Sequence, residues 1–393
     1  MIAFAAALLL LWWAGCSRAP EPADDLVAQL QALGYLDFGA PAAQTGVLTA
    51  DTSKMWPGPT LYTSRNLRRA DIVAADGTPL HHWEGGDSGH WARATLLDDG
   101  DLLVVGKRPV ERGWFRFLAR YAWDNTLRWE KGLPLHHDVE ARPDGGFTTL
   151  LEVDRVLPRF SLTWRTRDNY VARLDDQGQI VGKPKSLLEI VESRPDLVPL
   201  LGVRPTDRQD EHFLDVLHAN SVEQMRRPEL AERDPLYALD NVLVCIRHQN
   251  VVVLFSWTTG ELLWAWGRDE LSGPHDATVL DSGNILIFDN GLRRGWSRVV
   301  EVDPATNEIV WQYVAEPEPR EFFTATRGAN QRLPGGTTLI TDSEASRVFE
   351  VTPEGEIVWD FVNPLVSADG ARPTLVRAAR LSPDVVERHA AGR

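Results

Sequence analysis

Leu280-Asp281-Ser282-Gly283-Asn284-Ile285-Leu286-Ile287 sets a polar Gly turn directly before a run of β-formers, which reads as a hairpin. The same arrangement recurs at Leu97-Asp98-Asp99-Gly100-Asp101-Leu102, at Arg142-Pro143-Asp144-Gly145-Gly146-Phe147 and at Leu333-Pro334-Gly335-Gly336-Thr337. A second pattern falls between these copies: a turn with Gly or Asn, then apolar residues, then Trp. Its clearest forms are Gly260-Glu261-Leu262-Leu263-Trp264, Asn307-Glu308-Ile309-Val310-Trp311 and Gly355-Glu356-Ile357-Val358-Trp359, whose tryptophans stand 47 and 48 residues apart. Weaker copies end at Trp83, at Trp129 and, without the Trp, at Val181. Four short strands in about 45 residues make one blade of a β-propeller. Six such units predict an all-β fold, a six-bladed β-propeller spanning residues 60–365.

The widest gap between units, from Val181 to Trp264, predicts an insertion in one blade, helical over Ser186 to Arg194 and a loop over Pro195 to Asp210. A short N-terminal helical segment is expected before the propeller. Leu26, Leu30 and Leu33 share one face of the stretch Asp24 to Leu36, inside a linker over 17–59. Residues 366–393 read as an Arg-rich C-terminal tail with one short helix after Ser382-Pro383.

Composition narrows the function classes. With 41 basic and 56 acidic residues the formal charge is −15, so the chain lacks the basic footprint of a nucleic-acid partner. Two cysteines exclude a disulfide framework and a four-cysteine zinc ribbon. Fifteen tryptophans are explained by packing between blades, because one recurs at a fixed blade position. Cys245 is expected to be a buried strand thiol.

The N-terminus carries an address. Ile2 to Trp13 is an apolar run too short to span a bilayer and of signal-peptide length, and it ends in Ala14-Gly15-Cys16 before a polar stretch. Residues 1–16 therefore read as a signal peptide of lipoprotein type, with Cys16 as the lipidated N-terminus, or else as a plain secretory signal. Either reading exports the protein, to the periplasm or, anchored through Cys16, to the outer membrane.

The histidines follow the repeat. His137 and His275 each stand eight residues before a turn glycine, Gly145 and Gly283. Rotation about the propeller axis turns such equivalent positions into a ring lining the channel. His218 precedes the β-run Asn241 to Ile246 of the intervening blade, and Arg247-His248-Gln249-Asn250 forms a polar cluster inside an otherwise apolar segment. An Arg there calls for an anionic partner. His137, His218, Arg247 and His275 are thus predicted to gather at one end of the axis, where imidazoles and a guanidinium suit a tetrahedral oxyanion. The competing assignment is three hydrogen-bonded core histidines and an ion-paired Arg. A metal centre is not expected: no second ligand falls at i+3 or i+4 on a helix, and the Arg would repel a cation. His136 reads as a polar surface or blade-edge residue.

Leu135-His136-His137-Asp138, Asp215 to Ser221, Cys245 to Gln249 and Gly273-Pro274-His275-Asp276, continuing through Leu280 to Gly291, together resemble the bacterial arylsulfate sulfotransferase family. The resemblance spans the propeller and implies a six-bladed fold. It also implies a PAPS-independent aryl sulfotransferase that moves a sulfuryl group from a phenolic sulfate ester to a phenol, through a sulfohistidine and ping-pong kinetics. His275 matches the family's nucleophile. His137, His218 and Arg247 match the residues that bind and stabilise the sulfuryl oxygens, and either histidine can protonate the leaving phenoxide. Asn220 and His248 are expected as substrate contacts, with Asp276 orienting His275. No cofactor is expected, and no Gly-rich phosphate loop is present. Well-known members carry a large N-terminal β-domain where this chain has residues 17–59, and a cysteine pair that it lacks, so the resemblance leaves the oligomeric state open. The alternative function is a non-enzymatic exported propeller that binds a protein or glycan on its loop face. A quinone-dependent dehydrogenase would need cofactor-stacking tryptophans and calcium-binding carboxylates along the axis, and none is found.

Overall fold

The computed structural model describes residues 38–39 and 44–390, apart from 87–88, 112, 203, 209–210 and 368–369. The signal segment, Cys16 and the helix expected over Asp24 to Leu36 lie outside the described residues.

Each Gly turn joins the innermost strand of a sheet to the second. His275–Val279 pairs antiparallel with Ile285–Asp289 around Gly283, and Leu135–Ala141 with Phe147–Arg155 around Gly145. Six such sheets form six blades around one axis. From the axis outward, blade two is His90–Leu96, Leu102–Pro109, Trp114–Tyr121 and Leu127–Gly132. Blade three begins with Leu135–Ala141, blade four with Ala219–Gln224, blade five with His275–Val279 and blade six with Ala329–Arg332.

The ring closes where the sequence predicts a tail. Leu375–Arg380 is the innermost strand of blade one, paired with Thr60–Ser64, so residues 366–393 are not an appendage. The strand reads as solvated because of its arginines, yet Arg380 forms a fully buried 2.8 Å ion pair with Glu350 of blade six. The linker also contributes: Gly46–Ala50 adds a fifth, outermost strand to blade six by pairing with Ile357–Val362. Last-blade and first-blade strands thus come from both ends of the chain. The helix after Ser382-Pro383 is present as Val385–Ala390.

The strands are apolar on both faces because each blade is covered on both sides. In Leu102–Pro109, Leu102 and Val104 join the cluster shared with blade one, whereas Leu103 and Val105 join the cluster shared with blade three. Six such clusters fill the six interfaces between blades. The repeat tryptophans sit in the fourth strands from the axis, and several tie one blade to the next. The indole N–H of Trp83 donates to Ala122 O at 2.9 Å, that of Trp264 to Asn307 Oδ1 at 2.9 Å and that of Trp359 to Ala75 O at 2.8 Å. Their function is packing. Cys245 is buried and unbonded in the second strand of blade four.

The insertion is built as Leu187–Glu192, a helix capped by the Ser186 side chain, and the hairpin Arg204–Arg208 with Glu211–Asp215. Within the loop expected over Pro195 to Asp210, Arg204–Arg208 is therefore a strand. This hairpin extends blade three, where Glu211–Asp215 runs parallel to Arg165–Leu174. It also delivers Asp215 and the chain that follows it to the channel mouth.

Candidate active site

Register fixes which residues face the axis. In each blade the innermost strand ends its pairing at Leu96, Ala141, Gln224, Val279, Arg332 or Arg380. Four residues earlier stand Ala92, His137, Asn220, His275, Gly328 and Val376. His137 and His275 are thus ring partners, as the spacing predicts. Blade four differs: Asn220 holds the ring position, and His218 lies two residues before it. A cavity of about 40 Å³ is lined by His137, Asn220, His275, Gly328 and Val376 together with Arg93, Arg327 and Arg377.

The backbone bends sharply at the mouth. His137 and His218 adopt left-handed φ values of 60° and 51°, a costly conformation for residues other than glycine. The bend aims both rings at one point, and His137 Nε2 lies 3.3 Å from His218 Nε2. His218 Nδ1 donates to Asp215 Oδ2 at 2.6 Å. Burial pushes the Asp215 carboxyl up, but the His218 ring and its hydrogen bond outweigh this and hold it well below the usual carboxylate range. Asp215 is therefore a carboxylate that fixes the orientation and tautomer of His218. His248 stacks on His218 with ring centres 4.6 Å apart, donates from Nδ1 to Asp215 O at 3.0 Å and accepts from Arg247 at Nε2 at 3.1 Å. Burial, with the His218 ring next, pushes His248 down to about 3, so it is neutral and serves as an acceptor for the guanidinium.

His275 is buried, and its tautomer follows from its neighbours. Nδ1 lies 2.7 Å from Asn290 Oδ1 and 3.1 Å from Gly273 O, both acceptors, so it carries the hydrogen. Nε2 keeps its lone pair and accepts the Arg327 backbone N–H at 3.3 Å. Burial, and then the positive charge of Arg247, push the ring well below the ordinary imidazole range. Burial does the same for His137. Both imidazoles are neutral at pH 7.

The six side chains singled out in the sequence, His137, His218, Arg247, His275, Asn220 and His248, meet at one end of the channel. Asn220 donates from Nδ2 to Pro274 O at 2.8 Å, and its Oδ1 is a buried acceptor facing no donor among the described residues. Three features differ from expectation. Asp276 does not orient His275: its carboxyl accepts the Asn330 N–H at 2.7 Å and pairs with Arg377 at 3.3 Å, and Asn290 takes the orienting role. His136 is not a surface residue: its ring centre lies 3.9 Å from that of His137, and its nitrogens meet Ala219 O at 3.1 Å and Glu152 Oε1 at 2.9 Å. Asp215, Asn290 and Glu152 were not singled out, although Asp215 stands three residues before His218 and Asn290 lies inside a stretch that carries the family resemblance.

Ion pairs border the same cavity. Arg93 pairs with Asp138 and Glu140, and Arg377 bridges Glu140 and Asp276. These carboxyls also stitch the blades together, since Asp138 accepts the Val222 N–H at 2.9 Å across one interface and Asp276 the Asn330 N–H across another. A neutral imidazole with a lone pair, a carboxylate-backed imidazole and a guanidinium are groups that can serve transfer to and from an anion.

No curated protein matches the chain. Among solved structures, a Bacteroides caccae protein of unknown function is 14% identical with a TM-score of 0.51, covering 82% of this chain and 100% of that one. A catalytically inactive virginiamycin B lyase from Staphylococcus aureus, determined with quinupristin, is 13% identical (TM-score 0.45; 86% and 99% covered). Apo AztD from Citrobacter koseri is 9% identical (TM-score 0.41; 83% and 98%). At such identities the first of these speaks for the fold alone. The family model of the arylsulfotransferases (ASST) matches residues 93–364, a span that holds His137, His218, Asn220, Arg247, His248 and His275, and the chain belongs to that family.

Proposed function

We propose that the protein transfers a sulfuryl group from a phenolic sulfate ester to a phenol, with His275 as the nucleophile and a sulfohistidine between two half-reactions. In the first, the Nε2 lone pair of His275 attacks sulfur, the S–O bond to the aryl group breaks, and the electron pair leaves on the phenoxide. His218 enters this step as the imidazolium and gives that oxygen its Nε2 proton, while its Nδ1 hydrogen stays hydrogen-bonded to Asp215. In the second, the acceptor phenol returns a proton to His218, its oxygen attacks sulfur, and the N–S bond breaks.

The observation that carries this reading is the tautomer of His275, whose Nδ1 hydrogen is held by Asn290 so that Nε2 is a buried lone pair on the channel axis. Arg247 supplies positive charge near the sulfuryl oxygens, as cationic clamps do in phosphoryl transfer. Of the two candidates for the proton, His218 is favoured because a carboxylate backs it. His137 then binds a sulfuryl oxygen, Asn220 the phenolic group, and His248 holds Arg247 in place. Export through the N-terminal segment, with or without a lipid on Cys16, would set this chemistry outside the cytoplasm.

Intact-protein mass spectrometry after brief incubation with an aryl sulfate tests the proposal. The expected result is a gain of one sulfuryl group, mapped to His275, discharged by added phenol and missing in His275→Ala. A mutant that turns over at the wild-type rate would remove His275 as nucleophile.

A further inference from the structure

The meeting of two imidazoles at the channel mouth has a chemistry that sulfuryl transfer does not use. His137 Nε2 and His218 Nε2 face each other at 3.3 Å. Asp215 keeps a hydrogen on His218 Nδ1 at 2.6 Å, so the neutral His218 ring presents its Nε2 lone pair to His137. Two imidazole nitrogens that ligate one tetrahedral ion at about 2.0–2.1 Å stand about 3.3 Å apart. A carboxylate behind a ligating imidazole is the arrangement that orients and strengthens metal-binding histidines. A second observation points the same way. Asn220 Oδ1 is buried and unpartnered in the cavity that His137 lines, where it offers a hard oxygen. His136 also lies within ligand distance of both rings, although its nitrogens are occupied by Ala219 O and Glu152.

We propose that His137 and His218 form a binding site for an exchangeable divalent transition metal, Zn²⁺ being the type case, and that the bound ion blocks the channel mouth. Each ring donates its Nε2 lone pair, and the single hydrogen of neutral His137 resides on Nδ1. Two protein nitrogens are fewer than the three or four of resident zinc sites, and Arg247 adds positive charge nearby, so the ion exchanges rather than stays. The ligands are 81 residues apart in sequence. That separation is why no short spacing motif announces them. The blocking effect rests on the transfer reading; the binding itself does not.

The test is a zinc titration of the full exported chain, freed of any affinity tag, in competition with a chromophoric chelator. The wild type is expected to bind one ion that His137→Gln and His218→Gln each lose, while His275→Ala keeps it. Thermal melts check that the variants are folded, and a metal-soaked crystal locates the ion by anomalous scattering. An equal stoichiometry in wild type, His137→Gln and His218→Gln, or an ion found elsewhere, would overturn the site. Zinc that binds at this pair in a protein without transferase activity would leave the metal site standing and sink the transfer reading. Zinc inhibition reversed by EDTA in wild type would support both.

Discussion

Asn290 Oδ1 lies 2.7 Å from His275 Nδ1, and the Asn290 amide hydrogens are both donated, to Thr324 O and Arg327 O at 2.7 Å each. The amide cannot flip without setting its NH₂ group against the His275 Nδ1 hydrogen and its oxygen against two carbonyls. The Asn290 oxygen is therefore an obligate acceptor, and His275 is locked with its lone pair on Nε2. On the transfer reading, this relationship makes Nε2, which accepts the Arg327 N–H at 3.3 Å, the nitrogen that would attack.

Replacing Asn290 with Leu is expected to slow formation of the sulfuryl-enzyme by about 100-fold, the scale of a misplaced reacting group. Asn290→Asp should behave differently. It keeps the acceptor but adds a negative charge, which favours the imidazolium form of His275. Wild-type activity should hold as pH falls below 6.5, because burial and Arg247 push the His275 ring down. In Asn290→Asp the acid limb should move upward. A burst-phase pH profile that does not move would exclude the proposed role of Asn290.

The Asp215–His218 pair predicts a dependence on the leaving group. Asp215→Asn removes the carboxylate that accepts the His218 Nδ1 hydrogen while preserving size. Donors whose phenols are weak acids need a proton from His218 and should lose 10²–10⁴-fold, the range of general acid catalysis. Activated nitrophenyl sulfates should lose far less. A uniform loss across a series of phenols would assign Asp215 to positioning alone.

Much of this molecule is legible in its sequence, and the rest is hidden for reasons of geometry. Trp264, Trp311 and Trp359 reveal the blade period because identical interfaces impose identical residues at identical positions. His137 and His275 follow from the same period. His136 does not, because strand neighbours normally point to opposite faces. The left-handed backbone at His137 cancels that alternation and brings both rings to one place. His218 falls outside that count: Asn220 holds the ring position in blade four, and a register shift lies between Ala219 and Ser221. Leu375–Arg380 reads as a tail because nothing local says which distant edge it closes.

Asp276 predicts a pH-dependent stability. Burial pushes its carboxyl up to about 7, against 3.8 as the ordinary value. Between those two values the native protein holds a proton that the unfolded chain has released. Rising pH therefore favours unfolding over that window, and the effect is complete once pH exceeds the native value. Asp276→Asn removes it. Relative to the mutant, wild type should lose stability as pH rises from about 4 to about 8. Urea midpoints of both proteins at several pH values measure this, and parallel curves would contradict it.

Deleting residues 366–393 tests the closure. If this segment were a tail, its removal would leave blade one intact. Instead the deletion strips the innermost strand from Thr60–Ser64 and exposes the edge that Leu375–Arg380 covers. Leu375 and Ala378 leave the cluster shared by blades six and one, and Glu350 loses Arg380 from a fully buried ion pair. A buried carboxylate stripped of its partner costs several kcal/mol, a large part of the ~5–15 kcal/mol that holds a domain folded. The truncated chain should be insoluble or molten. A shorter deletion beginning after Leu381 removes only the terminal helix and should remain folded, with a lower melting temperature because Val385 is buried and Val386 packs on the cluster between blades one and two. Circular dichroism and analytical gel filtration separate the two outcomes. A folded, monodisperse protein ending at residue 365 would mean that the propeller closes without its C-terminal strand.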